Sequence, residues 1–234
     1  MKIFKIASLF LAFGLASCAA TNEPDFQGGG VTNTKPAIAS NFRFHHITSD
    51  EGTKTHEDSL TYTTTVSPIE IKGKSGAYVF VNSESQINTR TIAYETNGNI
   101  SILVPLVTET TQDVQWMTIP LIGSGGSKDL LLAQYDTTIS GISTSLKLTA
   151  TATLVSNQNM TVNGQNYTAK HYKITRTLTS TTLGIPVSTN DDDLFWWIPD
   201  LGFFGKIEEG GFSDPTGQVA SELSTETLLR YSAQ

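Results

Sequence analysis

The side chains best able to do chemistry are few. Four histidines are present, His45, His46, His56 and His171. Zinc sites want ligands at set spacings such as H-E-x-x-H or paired C-x-x-C, and neither spacing occurs. His45 and His46 are neighbours, so on a strand their rings point to opposite faces. Asp191-Asp192-Asp193 is not followed by the D-x-[DN]-x-[DN]-G loop of a calcium site and reads as a solvated turn after Thr189-Asn190. No metal and no cofactor is expected. Gly123-Ser124-Gly125-Gly126-Ser127 departs from the G-x-S-x-G nucleophile elbow and lacks the Lys and Ser/Thr of a phosphate-binding loop, so it reads as a connection. The carboxylate pairs Glu57-Asp58 and Glu208-Glu209 are chain neighbours, which does not make them the facing acids of a glycosidase. A glycan hydrolase would need His171 or Glu208 in a cleft beside another acid. Without a catalytic constellation, the expectation is a protein that is not an enzyme.

Cys18 stands apart, because it is the only cysteine and no intramolecular disulfide can form. Lys2 and Lys5 make a short positive start, and Ile6 to Ala16 is apolar apart from Ser8. That is the length of a signal-peptide core, well short of the roughly 20 residues of a membrane-spanning helix. Leu15-Ala16-Ser17-Cys18 then resembles the lipobox of bacterial lipoproteins. Small residues let a peptidase take the chain in extended form, and a thiolate is nucleophilic enough to accept a diacylglyceryl group as a thioether. The resemblance implies a signal peptide over 1–17, cleavage before Cys18, and acylation of Cys18. Two or three acyl chains make a durable anchor where one does not.

Among Gram-negative lipoproteins an Asp after the cysteine retains the protein at the inner membrane. Ala19 in that place implies the outer membrane, on its periplasmic face. Residues 18–40 read as the lipidated cysteine and a flexible tether. They hold Pro24, Gly28-Gly29-Gly30 and Pro36, with no period and few large apolar side chains to offset the cost of ordering. The body is then 41–234.

Composition says how that body is built. Lys and Arg number 15 against 22 Asp and Glu, a net charge of −7, which argues against the clustered positive charge of a nucleic-acid binder. The chain carries 34 Thr and 22 Ser, and β-branched Thr is stiff at χ1 in the way strands favour. Alternation follows from Phe42 onward. Leu60, Tyr62, Thr64 and Val66 share a face until Pro68; Ile69 and Ile71 alternate with Glu70 and Lys72 before a turn at Gly73 to Gly76. Asn97-Gly98 and Asn163-Gly164 sit between apolar runs and mark two hairpins. Leu146, Leu148, Ala150, Ala152 and Leu154 alternate with Lys147 and a run of Thr, one dry face and one wet, as in antiparallel sheet. Ten or eleven strands result. Val219 and Leu223 give the only helical period, a short one. The fold class is all-β: a strongly curved antiparallel sheet, as half-barrel, open barrel or sandwich, in a single domain.

The most distinctive stretch is Asp193 to Lys206, with Phe195-Trp196-Trp197 and Phe203-Phe204 around Pro199-Asp200. A strand apolar on both faces is either central to a packed core or shows a row of rings to a ligand or partner. Under the second reading Trp196, Trp197, Phe203 and Phe204 line the cavity or patch. The order of Val162-Asn163-Gly164, a strand with Ala169 and Tyr172, the aromatic strand and a closing Thr227-Leu228-Leu229-Arg230-Tyr231 resembles a group of bacterial envelope proteins. Their curved half-barrel is related in shape to the Lol-type lipoprotein carriers. The resemblance covers about 75 residues; it implies a concave side able to hold acyl chains and carries over no catalytic residues. The expected function is therefore a lipid-anchored envelope protein that binds an apolar ligand or a partner protein. The alternative is a structural scaffold of the envelope without a small ligand.

Overall fold

The structure is a computed structural model that describes residues 32–67, 69–83, 89–96, 98–108, 110–119, 127, 129–139, 141–210 and 222–233. Those residues form twelve strands and no helix: β1 (Asn41–Asp50), β2 (Thr53–Val66), β3 (Tyr78–Asn82), β4 (Arg90–Tyr94), β5 (Ile100–Thr108), β6 (Gln112–Ile119), β7 (Leu130–Ile139), β8 (Ile142–Val162), β9 (Gln165–Thr182), β10 (Ile185–Ile198), β11 (Phe203–Gly210) and β12 (Glu222–Ser232). The all-β, single-domain, strongly curved sheet is what the threonine-rich alternation predicts, and the curvature runs to closure. Eleven strands make a ring in the order β4-β3-β2-β1-β12-β11-β10-β9-β8-β7-β5, with β5 returning to β4. β6 hangs on the remaining length of β5 as an extra strand. All pairings are antiparallel except a two-residue parallel contact, Val107 with Ala133 and Thr108 with Gln134, where β7 joins β5. Closure pairs β4 with β5, the strands that would otherwise stand at the sheet's open edges.

The turns explain the register. Asn163 (φ 54°) and Gly164 (φ 77°) both take left-handed backbone, so a two-residue loop joins Val162 to Gln165 across β8 and β9 as the Asn-Gly signal predicts. The Gly98 hairpin joins β4 to β5, with Asn97 outside the described residues. Two similar turns carry no such signal: Glu51-Gly52 and Leu183-Gly184 adopt the same pair of positive φ values with unsuited first residues. Three local expectations change. Ile69 to Ile71 forms no strand, only a bridge between Ile71 and Lys74. The triple Asp run is not a turn but lies within β10, because Asp191 to Asp193 pair with Arg176 to Ile174. Leu223 lies in β12, not in a helix, while Val219 falls outside the described residues.

One boundary also moves. Asn33 to Ser40, read as tether, packs on the barrel. The Asn33 side chain donates to Gly98 O (2.7 Å) and accepts from Trp197 Nε1 (3.0 Å), and Thr34 N donates to Pro199 O (2.9 Å). Pro36 and Ser40 are buried. An amide whose donor and acceptor are both answered holds a segment that has little apolar surface of its own. Residues 1–31, with the signal-peptide stretch and Cys18, lie outside the described residues.

Candidate functional site

Along each strand the inward positions change character in step. Phe42 and Phe44 on β1 are followed by His46; Leu228 on β12 by Glu226 and Ser224; Phe195 on β10 by Asp193; Ile174 on β9 by Arg176. Register therefore stacks an apolar tier, a charged tier, and a histidine-bearing rim along the barrel.

The apolar tier holds the rings predicted for a patch. Trp197, Phe203 and Phe204 are fully buried and Trp196 is 7% exposed. Phe203 is the hub: it stacks on Phe80 (4.1 Å between ring centres) and touches Phe42 (4.7 Å), Phe204 (5.0 Å), Tyr62 (5.6 Å) and Phe44 (6.0 Å). Rings at these separations are in mutual contact. Trp197, Phe203 and Phe204 thus belong to the packed interior, where the aromatic rings meet one another, and Trp196 is buried on the other side of β10. Trp196 points the other way along β10, to the outer face. There His171 stacks on it (4.5 Å, 1° between planes), Lys206 sits over its ring (4.7 Å), and its Nε1 donates to Gln158 Oε1 (2.8 Å). The alternation placed Trp196 and Trp197 on opposite faces; it could not show that neighbouring long side chains cover the outer one.

The charged tier is built from residues far apart in sequence. Arg90 donates to Glu226 (3.1 Å) and to Glu209 (3.3 Å), and Tyr62 donates its hydroxyl to Glu226 (3.1 Å). Arg176 donates to Asp193 Oδ1 (2.7 Å), which also accepts from Gly210 N (3.1 Å). Burial pushes the Asp193 carboxyl up to about 7 against the opposing pull of Arg176, with Glu209 adding to the rise. Glu209 is also raised, first by burial and then by the Glu226 charge, with Arg90 opposing. Two carboxylates clamped on one guanidinium fix charge inside a low-dielectric barrel; the arrangement is a belt, and removing one partner would leave another ion buried.

At the rim the β1–β2 hairpin brings together residues that sequence spacing did not connect. His46 pairs with Asp58 and Thr48 with His56 across the two strands. His46 Nδ1 lies 2.7 Å from Asp58 Oδ1, and His56 Nε2 lies 3.2 Å from Asp58 Oδ2. On its far side His46 Nε2 is 3.2 Å from Ser224 Oγ. Burial raises the Asp58 carboxyl, but the hydrogen bonds from His46 and His56 outweigh it, so the group sits below its ordinary range. His45 faces away from His46, as the alternation predicts, and meets Glu57 (2.8 Å). Among the described residues His46, His56 and Asp58 are the group able to hold a metal ion. The signal was present as two histidines and an acid on adjacent strands, but reading it needed the hairpin at Glu51-Gly52, whose turn is silent in sequence.

His171 and Glu208, the residues a hydrolase would need, lie on the outer face with Trp196, where Glu208 pairs with Lys206. Burial lowers the His171 pKa, opposed by the nearby Glu208 charge. They lie outside the barrel lumen.

No family model and no curated protein matches this chain. Among solved structures it is similar to the "hypothetical lipoprotein YmcC" of Escherichia coli (K12), at 10% identity over 84% of this chain and 90% of that one, with a TM-score of 0.32. It is also similar to a "putative lipoprotein" of Parabacteroides distasonis ATCC 8503, at 9% identity over 87% of this chain and all of that one, with a TM-score of 0.43. At that distance neither tells what this chain binds or does.

Proposed function

We propose that the protein is a non-catalytic, lipid-anchored lipoprotein of the bacterial envelope, tethered through Cys18 to the outer membrane on its periplasmic side. The observation that carries this reading is the leader: a positive start, an apolar run too short to span, and Leu15-Ala16-Ser17-Cys18 holding the sole cysteine. The β barrel, closed and packed with aromatic rings around Phe203, suits a body that acts by contact. Between the two binding roles, a partner protein fits better than an apolar cargo, because Phe203 and its neighbours fill the inner face with each other. The β9–β10 hairpin meanwhile shows Leu183, Ile185 and Val187 to solvent at 79%, 67% and 58% exposure. Neighbouring exposed apolar side chains of this kind mark contact surfaces. A purely structural scaffold is the second reading, favoured by the same filled core.

The test is mass spectrometry of the N-terminal peptide from protein extracted from membranes. The expected species begins at Cys18 and carries a thioether-linked diacylglyceryl group, and Cys18→Ser leaves an uncleaved precursor that begins at Met1 and lacks the diacylglyceryl mass. An unmodified chain that starts at Met1, or an unacylated Cys18, overturns the reading.

A further inference from the structure

We propose that His46, His56 and Asp58 bind one divalent transition-metal ion of the zinc class at the rim of the barrel. Two ring nitrogens and a carboxylate oxygen lie within 4.8 Å of one another. A tetrahedral ion about 2.0–2.2 Å from each ligand wants those atoms about 3.3–3.5 Å apart. Asp58 Oδ1 lies 2.7 Å from His46 Nδ1 and Asp58 Oδ2 lies 3.2 Å from His56 Nε2, so each imidazole already faces a carboxylate oxygen at close to that spacing. Seating the ion needs separations of at most 4.8 Å to close by no more than about 1.5 Å.

The backbone holds the set in place. His46 and Asp58 are register partners on hydrogen-bonded strands, and His56 precedes Asp58 on the same face at a two-residue spacing. Donor chemistry selects the ion. Two imidazoles with one carboxylate suit zinc, nickel, cobalt or copper, whereas calcium and magnesium want oxygen ligands throughout. Ser224 supplies what a ligating histidine requires on its other nitrogen: with Nδ1 toward the ion, the His46 Nε2–H donates to Ser224 Oγ and fixes the ring. Side-chain exposures of 59% for His56 and 38% for Asp58 leave the fourth position open to water or to a donor from outside. The site is independent of the lipid anchor.

The test uses the full chain in detergent micelles, stripped with a chelator and titrated with Zn²⁺ by calorimetry. Saturation at one ion per chain is expected. His56→Ala and Asp58→Asn each weaken binding by more than about tenfold, and Ser224→Ala by about tenfold, while His45→Ala leaves it unchanged. Circular dichroism of the stripped variants checks that each retains the wild-type β spectrum. Pulsed electron paramagnetic resonance of Cu²⁺ bound to the wild-type chain reports two imidazole nitrogens with no variant needed. Lack of saturable uptake, equal affinity in His56→Ala, an equal loss in His45→Ala, or a copper spectrum without two imidazole nitrogens overturns the proposal.

Discussion

Replacing Phe203 with Ala tests whether the aromatic tier is the core. The ring is fully buried and contacts five others, with Phe80 stacked on it at 4.1 Å. Burying a Phe removes about 150–250 Å² from water, which at about 25 cal/mol per Å² gives roughly 4–6 kcal/mol as an upper bound. Truncation data for buried Phe give about 3–5 kcal/mol. Packed neighbours on every side cannot all collapse into the void, so the expected loss is about 4 kcal/mol, or roughly 8–16 °C in Tm for a chain of this size. Urea unfolding of the full chain in micelles, followed by circular dichroism, measures it. Phe203→Leu refills most of the volume and is expected to recover about half of the loss, while Val155→Ala, at an exposed position, stays within about 0.5 kcal/mol. A loss below about 1.5 kcal/mol for Phe203→Ala, with lipid retained by wild type and released by the variant, would show that the ring lines a cargo site and would refute the filled-core reasoning.

Three further outcomes follow from particular contacts. Gly202 sits at φ +62°, and a Cβ there would lie 1.9 Å from Thr34 O; Gly202→Ala is expected to cost about 2–4 kcal/mol through strain and displaced backbone and to open residues 32–40 to limited proteolysis. Asp193 keeps its proton in the folded state up to about pH 7 but loses it near 4 when unfolded. Folded protein binds more protons between those values, so stability falls as pH rises through that window, with Glu209 acting in the same direction. Asp193→Asn is expected to flatten the curve of urea midpoint against pH between 4 and 7; an unchanged slope refutes the assignment. Leu183 occupies left-handed backbone while 79% exposed, so Leu183→Asn is expected to raise Tm by about 2–4 °C, the effect of roughly 1 kcal/mol of relieved strain. A fall in Tm would show that the leucine is held by contacts within the chain.

The sequence by itself determined the fold class and most of the strands, and left the aromatic segment open between core and patch. Threonine stiffness, two-residue alternation and Asn-Gly turns act over a few residues, so they survive in a linear reading. The proposed lipobox ending at Cys18 rests on the same kind of local pattern, four consecutive residues after a short apolar run. Only the tertiary structure decided that the sheet closes, that Phe203 is a hub, and that Arg90 meets Glu209 and Glu226 across more than a hundred residues. It also decided that His46 shares a face with His56 and Asp58, because the turn at Glu51-Gly52 sets the register and a one-residue slip would send Asp58 to the other face. Periodicity says which side chains share one face of one strand; which strand lies beside it is set by turn geometry and by the ring's closure, and neither is written in any local window.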